Sequence, residues 1–159
     1  MLLASNHLAR IGKMSILRMK KSVYDELRTH SEQAYPQECC GVLVGSAGAE
    51  GWTVAYASRA ANICTDSPEN RYAIAPAELV EICRKAQKDG FEIAGFYHSH
   101  PDHPPIWSQI DLAEAHWLGC SYLITEVAEG SATVTNSFLL SGTREEDKQF
   151  VPERIGLID

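Results

Sequence analysis

The chain has no C-x-x-C pair, although it contains five cysteines, Cys39, Cys40, Cys64, Cys83 and Cys120. An odd set without that spacing argues against a disulfide framework and against a structural zinc knuckle, and it suits a reducing cytoplasm. Also missing is any apolar stretch near the roughly 20 residues that a membrane-spanning helix requires. The opening MLLASNHLARIGKMSILRMKK scatters Arg, Lys and His through a weakly apolar run, so the compact apolar core of a signal peptide is absent and secretion is not expected. There is no Lys/Arg stripe beyond an isolated Met-Lys-Lys, and the formal net charge is -7, which disfavours a grip on nucleic-acid backbones. Internal repeats and low-complexity tracts are lacking too.

What remains is ordinary in composition. With 159 residues, 45% hydrophobic and 22% charged, the chain is sized for one globular domain with a substantial core. Residues 1–20 are expected to be a partly flexible extension, with Met14 a second plausible start, and the charged stretch 143–159 a tail; the domain proper would then be 21–142.

Hydrophobic periodicity divides that domain. KSVYDELRTHSEQA (21–34) reads as a helix with a narrow apolar face, ended by Tyr35-Pro36. GVLVG (41–45) is a short apolar run between glycines, a buried strand, and WTVAYASRA follows as another. Residues 63–72 have loop composition. PAELVEICRKAQKDG has Pro76 at a first turn, apolar residues at helical spacing and Gly90 as a stop. FEIAGFYHSHP is a strand running into proline, SQIDLAEAHWLG a second helix, and SYLITEVAEG with ATVTNSFLLSG a plausible hairpin. The class is α/β in a loose sense, with a mixed sheet.

The polar end of that proline-terminated strand carries the chemistry. Alternation puts His98 and His100 on one face and Ser99 on the other, and Pro101 ends the strand there. Downstream, Ser108-Gln109-Ile110-Asp111 stands at a helix start, where it would form a capping box. The intervening loop is stiffened by prolines, so Asp111 can also face the histidines. Two imidazoles and one carboxylate form a typical catalytic zinc set, with the fourth position left to water. Hydrolysis of an amide needs a further base, and the candidate is Glu38 in YPQECCGVLVG, at the entry to the buried strand, although periodicity alone favours a solvated glutamate there.

His98-x-His100-Pro101, six residues, Ser108, two residues and Asp111 resembles the H-x-H-P-x6-S-x2-D signature of the JAMM (MPN-plus) zinc metalloproteases, with a glutamate upstream. YPQECCGVLVG is similar to the glutamate-bearing segment of that family, and Asn62 through RYAIAPAEL to the middle of its small bacterial members. The likeness runs from about Lys21 to Phe138. It implies a mixed, mostly antiparallel sheet flanked by helices, of cytidine-deaminase-like architecture. It further implies zinc on His98, His100 and Asp111, Glu38 as general base and acid, and Ser108 supporting the oxyanion or the bound water. The capping and catalytic uses of Ser108 would compete for one side chain. The activity implied is hydrolysis after the C-terminal diglycine of a ubiquitin-like or sulfur-carrier protein.

Other residues have plainer readings. His103 is expected at the rim, and His116 inside the helix after Asp111 as a partly buried structural residue. Cys39 or Cys40 could act as a thiolate nucleophile, but small buried packing residues fit their setting better. Trp107 and Trp117 could line a groove or pack the core. A rival from another class is a non-catalytic MPN-type scaffold, which would generally lack the metal ligands. A metal-dependent deaminase is disfavoured because its cysteine motif is not found.

Overall fold

The computed structural model describes residues 13–159, so most of the expected N-terminal extension lies outside the described residues. The elements in order are β1 (Ile16–Lys20), α1 (Lys21–Ala34), β2 (Cys40–Ala47), β3 (Trp52–Ala60), α2 (Pro76–Lys88), β4 (Glu92–Pro101), α3 (Gln109–Glu114), β5 (Ser121–Ala128), β6 (Ser131–Ser141) and β7 (Gln149–Ile158). The mixed α/β character matches the sequence. The flanked sheet does not: its strands close into a barrel in the order β1-β3-β2-β4-β5-β6-β7. Four ladders are antiparallel and three parallel, β1 with β3, β1 with β7, and β4 with β5.

Closure draws on strands outside residues 21–142 at both ends. The charged tail contains β7, paired with β6 and with β1, and β1 itself lies within the expected extension. In β1 only Leu17 and Met19 are fully buried, and in β7 Phe150 and Glu153. The remaining positions of both strands are exposed or half-buried and tolerate charge, and that is why these segments read as polar.

Two cores lie on opposite faces of the sheet. On one, α1 buries Val23, Leu27 and Ser31, spaced four apart, against Leu17, Met19, Leu43, Val54, Tyr97 and Leu123. On the other, Ile82 and Ala86 of α2 pack with Val42, Val44, Phe96, Ile124 and Phe138. The β2–β4 ladder pairs Leu43 with Gly95 but Val44 with Ile93, so Ala94 is an extra residue, a β-bulge. The bulge sets the phase of β4: Ile93 and Phe96, three apart, join the α2-side core, while Ala94 turns to the α1 side. From Phe96 onward alternation carries His98 and His100 on the same face as Phe96.

The expected helix through Gly119 is cut short. α3 ends at Glu114, because Ala115 turns extended (φ -86°, ψ 118°) to bury its methyl, and the Trp117 N–H then donates to Tyr122 Oη at 3.2 Å rather than to a helical carbonyl. His116 is therefore outside the helix, and its side chain is 62% exposed beside Glu145 rather than partly buried. No helix among the described residues is long and apolar enough to cross a membrane.

Candidate metal centre

Strand β4 ends at the candidate site with both histidines buried, His98 2% and His100 3% exposed. Between them Ser99 points to the other face, where its Oγ accepts the Cys39 N–H at 2.8 Å. That bond fixes the segment carrying Glu38 beside the histidine pair. The loop after Pro101 folds back so that His100 Nδ1 lies 2.7 Å from the Pro104 carbonyl. A carbonyl only accepts, so Nδ1 carries the proton and Nε2 presents its lone pair.

Ser108 caps α3 in a reciprocal pair: its Oγ accepts from Asp111 N at 3.0 Å, and Asp111 Oδ2 accepts from Ser108 N at 2.8 Å. The capping box expected from sequence is thus formed, and the same carboxylate faces both imidazoles. Asp111 Oδ1 is 3.4 Å from His98 Nε2, and Oδ2 is 3.3 Å from His100 Nε2. The two Nε2 atoms are 3.2 Å apart. Burial alone would raise the Asp111 carboxyl, but its close contacts with the His100 and His98 rings and the Ser108 N–H outweigh it and hold the group well below the usual carboxylate range. Burial also lowers His98, keeping its ring neutral.

Glu38 completes the cluster. It is 2% exposed, its Oε1 is 4.0 Å from His98 Nε2, and neither oxygen has a hydrogen-bond partner among the described residues. Burial, with Asp111 and Glu114 adding, pushes its carboxyl up to about 8. A buried carboxyl without a partner is costly, and a cation beside it would remove that cost.

Glu38, His98 and His100 offer ligand atoms within 4.8 Å of one another, a group that could hold a metal ion. Asp111 contends with Glu38 for the third place and is nearer. Metal bonds of roughly 2.0–2.2 Å at tetrahedral angles set ligand atoms about 3.3 Å apart. The two Nε2 atoms stand near that separation, Asp111 meets His98 through Oδ1 and His100 through Oδ2 at similar distances, and Glu38 Oε1 is farther from His98 at 4.0 Å. The donor set of two imidazoles and one carboxylate suits zinc.

Three supporting residues have no fixed place in the spaced motif. Tyr72 stacks on the His98 ring (centroids 4.6 Å, 27°), which matters because His98 Nδ1 has no hydrogen-bond partner among the described residues. Asn62 Nδ2 donates to the Glu38 carbonyl at 3.1 Å and to the Arg71 carbonyl at 3.0 Å, while Glu38 N donates to Pro68 O at 2.7 Å. The 62–73 loop is thereby clamped to the backbone of Glu38. Pro104, through its carbonyl, is the third. A single sequence marks Asn62 only as an amide within a polar loop.

Residues 20–141 match the family of prokaryotic homologs of the JAB domain. The chain belongs to that family. Among curated relatives of this JAB-domain chain, the desampylase of Haloferax volcanii is 34% identical over 114 residues, covering 69% of this chain and 80% of the relative. A probable TtuB-protein conjugate cleaving protease of Thermus thermophilus is 26% identical over 102 residues, covering 64% of this chain and 65% of the relative. Two solved structures are similar over most of their length. A Desulfitobacterium hafniense protein superposes with a TM-score of 0.76 at 28% identity, covering 90% of this chain and 93% of that one. A Salinibacter ruber protein gives 0.68 at 31%, covering 89% and 92%.

The remaining expected candidates sort plainly in this JAB domain. His103 is half-buried, stacks on His100 at 4.3 Å between centroids and bonds through Nδ1 to the Pro101 carbonyl. Cys39 and Cys40 are buried; burial pushes both thiols up, Cys40 to about 12, which disfavours a nucleophilic thiolate. Trp107 packs into the core against Phe150, whereas Trp117 is 38% exposed.

Proposed function

We propose that the chain is a zinc-dependent isopeptidase or peptidase that hydrolyses the bond after the C-terminal Gly-Gly of a ubiquitin-like or sulfur-carrier protein. One observation carries the reading. The nearest atoms of three candidate ligands stand 3.2–3.4 Å apart, Asp111 facing His98 with Oδ1 and His100 with Oδ2, and an unpartnered buried glutamate lies beside them. The names of two relatives, a desampylase and a probable conjugate cleaving protease, support hydrolysis as the reaction class. The complete ligand set speaks for catalysis over a scaffold.

In this mechanism His98, His100 and Asp111 would hold the metal. A zinc ion held by them would supply Lewis-acid chemistry, polarising a carbonyl and making water nucleophilic near neutral pH. Glu38 takes the proton of the attacking water and returns it to the leaving amine. Its carboxyl, raised by burial, needs the nearby cation to become a base at pH 7. The Ser108 hydroxyl need not choose between its two uses. It spends a lone pair on Asp111 N and keeps its own hydrogen to donate toward the charge that develops on the carbonyl oxygen.

The test is metal analysis with cleavage of fusions joined through a Gly-Gly tail. Near-stoichiometric zinc is expected in the purified protein, lost in His100→Ala. Glu38→Gln is expected to keep zinc and lose about 100-fold or more in kcat. Unchanged hydrolysis in Glu38→Gln, or full activity in metal-free protein, counts against the reading.

A further inference from the structure

A cavity of about 310 Å³ lies beside the metal centre, with Phe96 and Tyr122 buried at its floor and Tyr72, Ile74, Leu79 and Trp117 around them. We propose that it is a specificity pocket for an apolar or aromatic side chain of the substrate, the residue immediately before the two glycines. The proposal rests on hydrolysis after Gly-Gly and adds to it which side chain is read.

The cavity and the site share their walls. Tyr72 lines the cavity and stacks on His98. Phe96 stands two residues before His98 on the same face of β4, a distance of about 7 Å along a strand. Glu114, another lining residue, is three residues after Asp111, and its ion pair with Arg71 at 2.6 Å ties the 62–73 loop to α3.

Spacing selects the occupant. An extended chain advances about 3.3 Å per residue, so two glycines span about 7 Å and offer no side chain to bury. The first side chain available is the third from the scissile bond, at the distance that separates Phe96 from His98. Room is sufficient, since an apolar cavity of roughly 150 Å³ already holds a benzene ring. The chemistry agrees: apart from Glu114 and His116 the walls are aromatic and aliphatic, and Tyr122 Oη is already engaged by the Trp117 N–H. Trp117 packs edge-on against Phe96 (5.4 Å, 72°) yet remains 38% exposed, an aromatic wall that a bound side chain would cover.

The experiment varies X in fusions ending X-Gly-Gly, with X as Leu, Phe, Gly or Asp, and measures kcat and KM for the zinc-loaded protein. Leu and Phe are expected to exceed Gly by about tenfold or more in kcat/KM, mostly through KM, with Asp poorest. In Trp117→Ala the Leu-over-Gly preference is expected to shrink below about threefold. Equal rates for all four in the unaltered protein overturn the pocket and leave the hydrolase reading standing, and so does a preference that follows the acceptor residue instead of X.

A second measurement separates the two readings. Free peptides ending Leu-Gly-Gly or Asp-Gly-Gly are titrated into Glu38→Gln protein, following the fluorescence change that Trp117→Phe abolishes. Tighter binding of the leucine peptide supports the pocket even where no fusion is cleaved, in which case the hydrolase reading alone falls. Indifference between the two peptides overturns the pocket.

Discussion

Ser99 and Cys39 hold each other across two strands: Ser99 Oγ accepts the Cys39 N–H at 2.8 Å, and Ser99 N donates to the Cys39 carbonyl at 3.3 Å. Each is the chain neighbour of a functional side chain, His98 and His100 around the first and Glu38 before the second. Ser99→Ala leaves a buried N–H without its partner, at a cost of about 1–3 kcal/mol. Urea unfolding should show that loss. Turnover should fall with zinc content unchanged, because the substitution frees the Glu38 segment and touches no ligand atom. Wild-type stability would show that the pair carries no weight.

Asp111 both caps α3 and faces the imidazoles, and one substitution separates these uses. Asparagine keeps an oxygen for the Ser108 N–H but gives up the negative charge. Asp111→Asn is expected to match the wild type in thermal unfolding with chelator present and to bind zinc at least tenfold more weakly. Unchanged zinc affinity would show that the charge does not hold the metal and would leave the cap as the main role of Asp111.

The Glu38 carboxyl makes metal-free stability depend on pH. Its folded value is raised from 4.5 to about 8, so between those limits the folded protein holds a proton that the unfolded chain has released. Folding is therefore disfavoured progressively as pH rises from about 4.5 to about 8, with no penalty below that window and a constant one above it. Glu38→Gln should remove this slope and stabilise the metal-free protein at pH 8, on the order of a few kcal/mol. Parallel stability profiles for the two proteins in chelator would refute the assignment.

Gly41 lies opposite Tyr97 in the β2–β4 ladder, and a Cβ there would meet the tyrosine ring at 2.2 Å. Gly41→Ala is expected to cost about 1–3 kcal/mol through overpacking. Tyr97→Leu should recover part of that loss when combined with it, so the double mutant would be more stable than additivity allows. Strict additivity in thermal melts would rule out the clash.

Much of the candidate site's placement could be read from the sequence, because its residues are tied to local features: a strand that stops at Pro101, and a four-residue capping box from Ser108 to Asp111. Glu38 was legible only through resemblance, since a buried carboxyl and a solvated one look alike in a string. Tyr72 and Asn62 escaped for a related reason, as their contacts with His98 and Glu38 join a loop to strands distant in sequence. In the fold, α1, β2, β3, α2 and β4 follow their hydrophobic periods. Barrel closure left no local trace. The pairing of Ile16 with Arg154 and of Leu17 with Ile155 joins segments far apart, and the buried Glu153 beside them gives β7 a polar look.

The extra residue at Ala94 makes the site a matter of counting as well as of chemistry. Side chains alternate along β4, so removing that one residue would rotate His98 and His100 toward α1 and bring Tyr97 and Ser99 to the metal face. No replacement at a single neighbouring position restores the parity. The histidine-bearing end of the strand should therefore accept many exchanges of residue type upstream and hardly any change of length, a tolerance that deep mutational scanning with single-residue deletions would map directly.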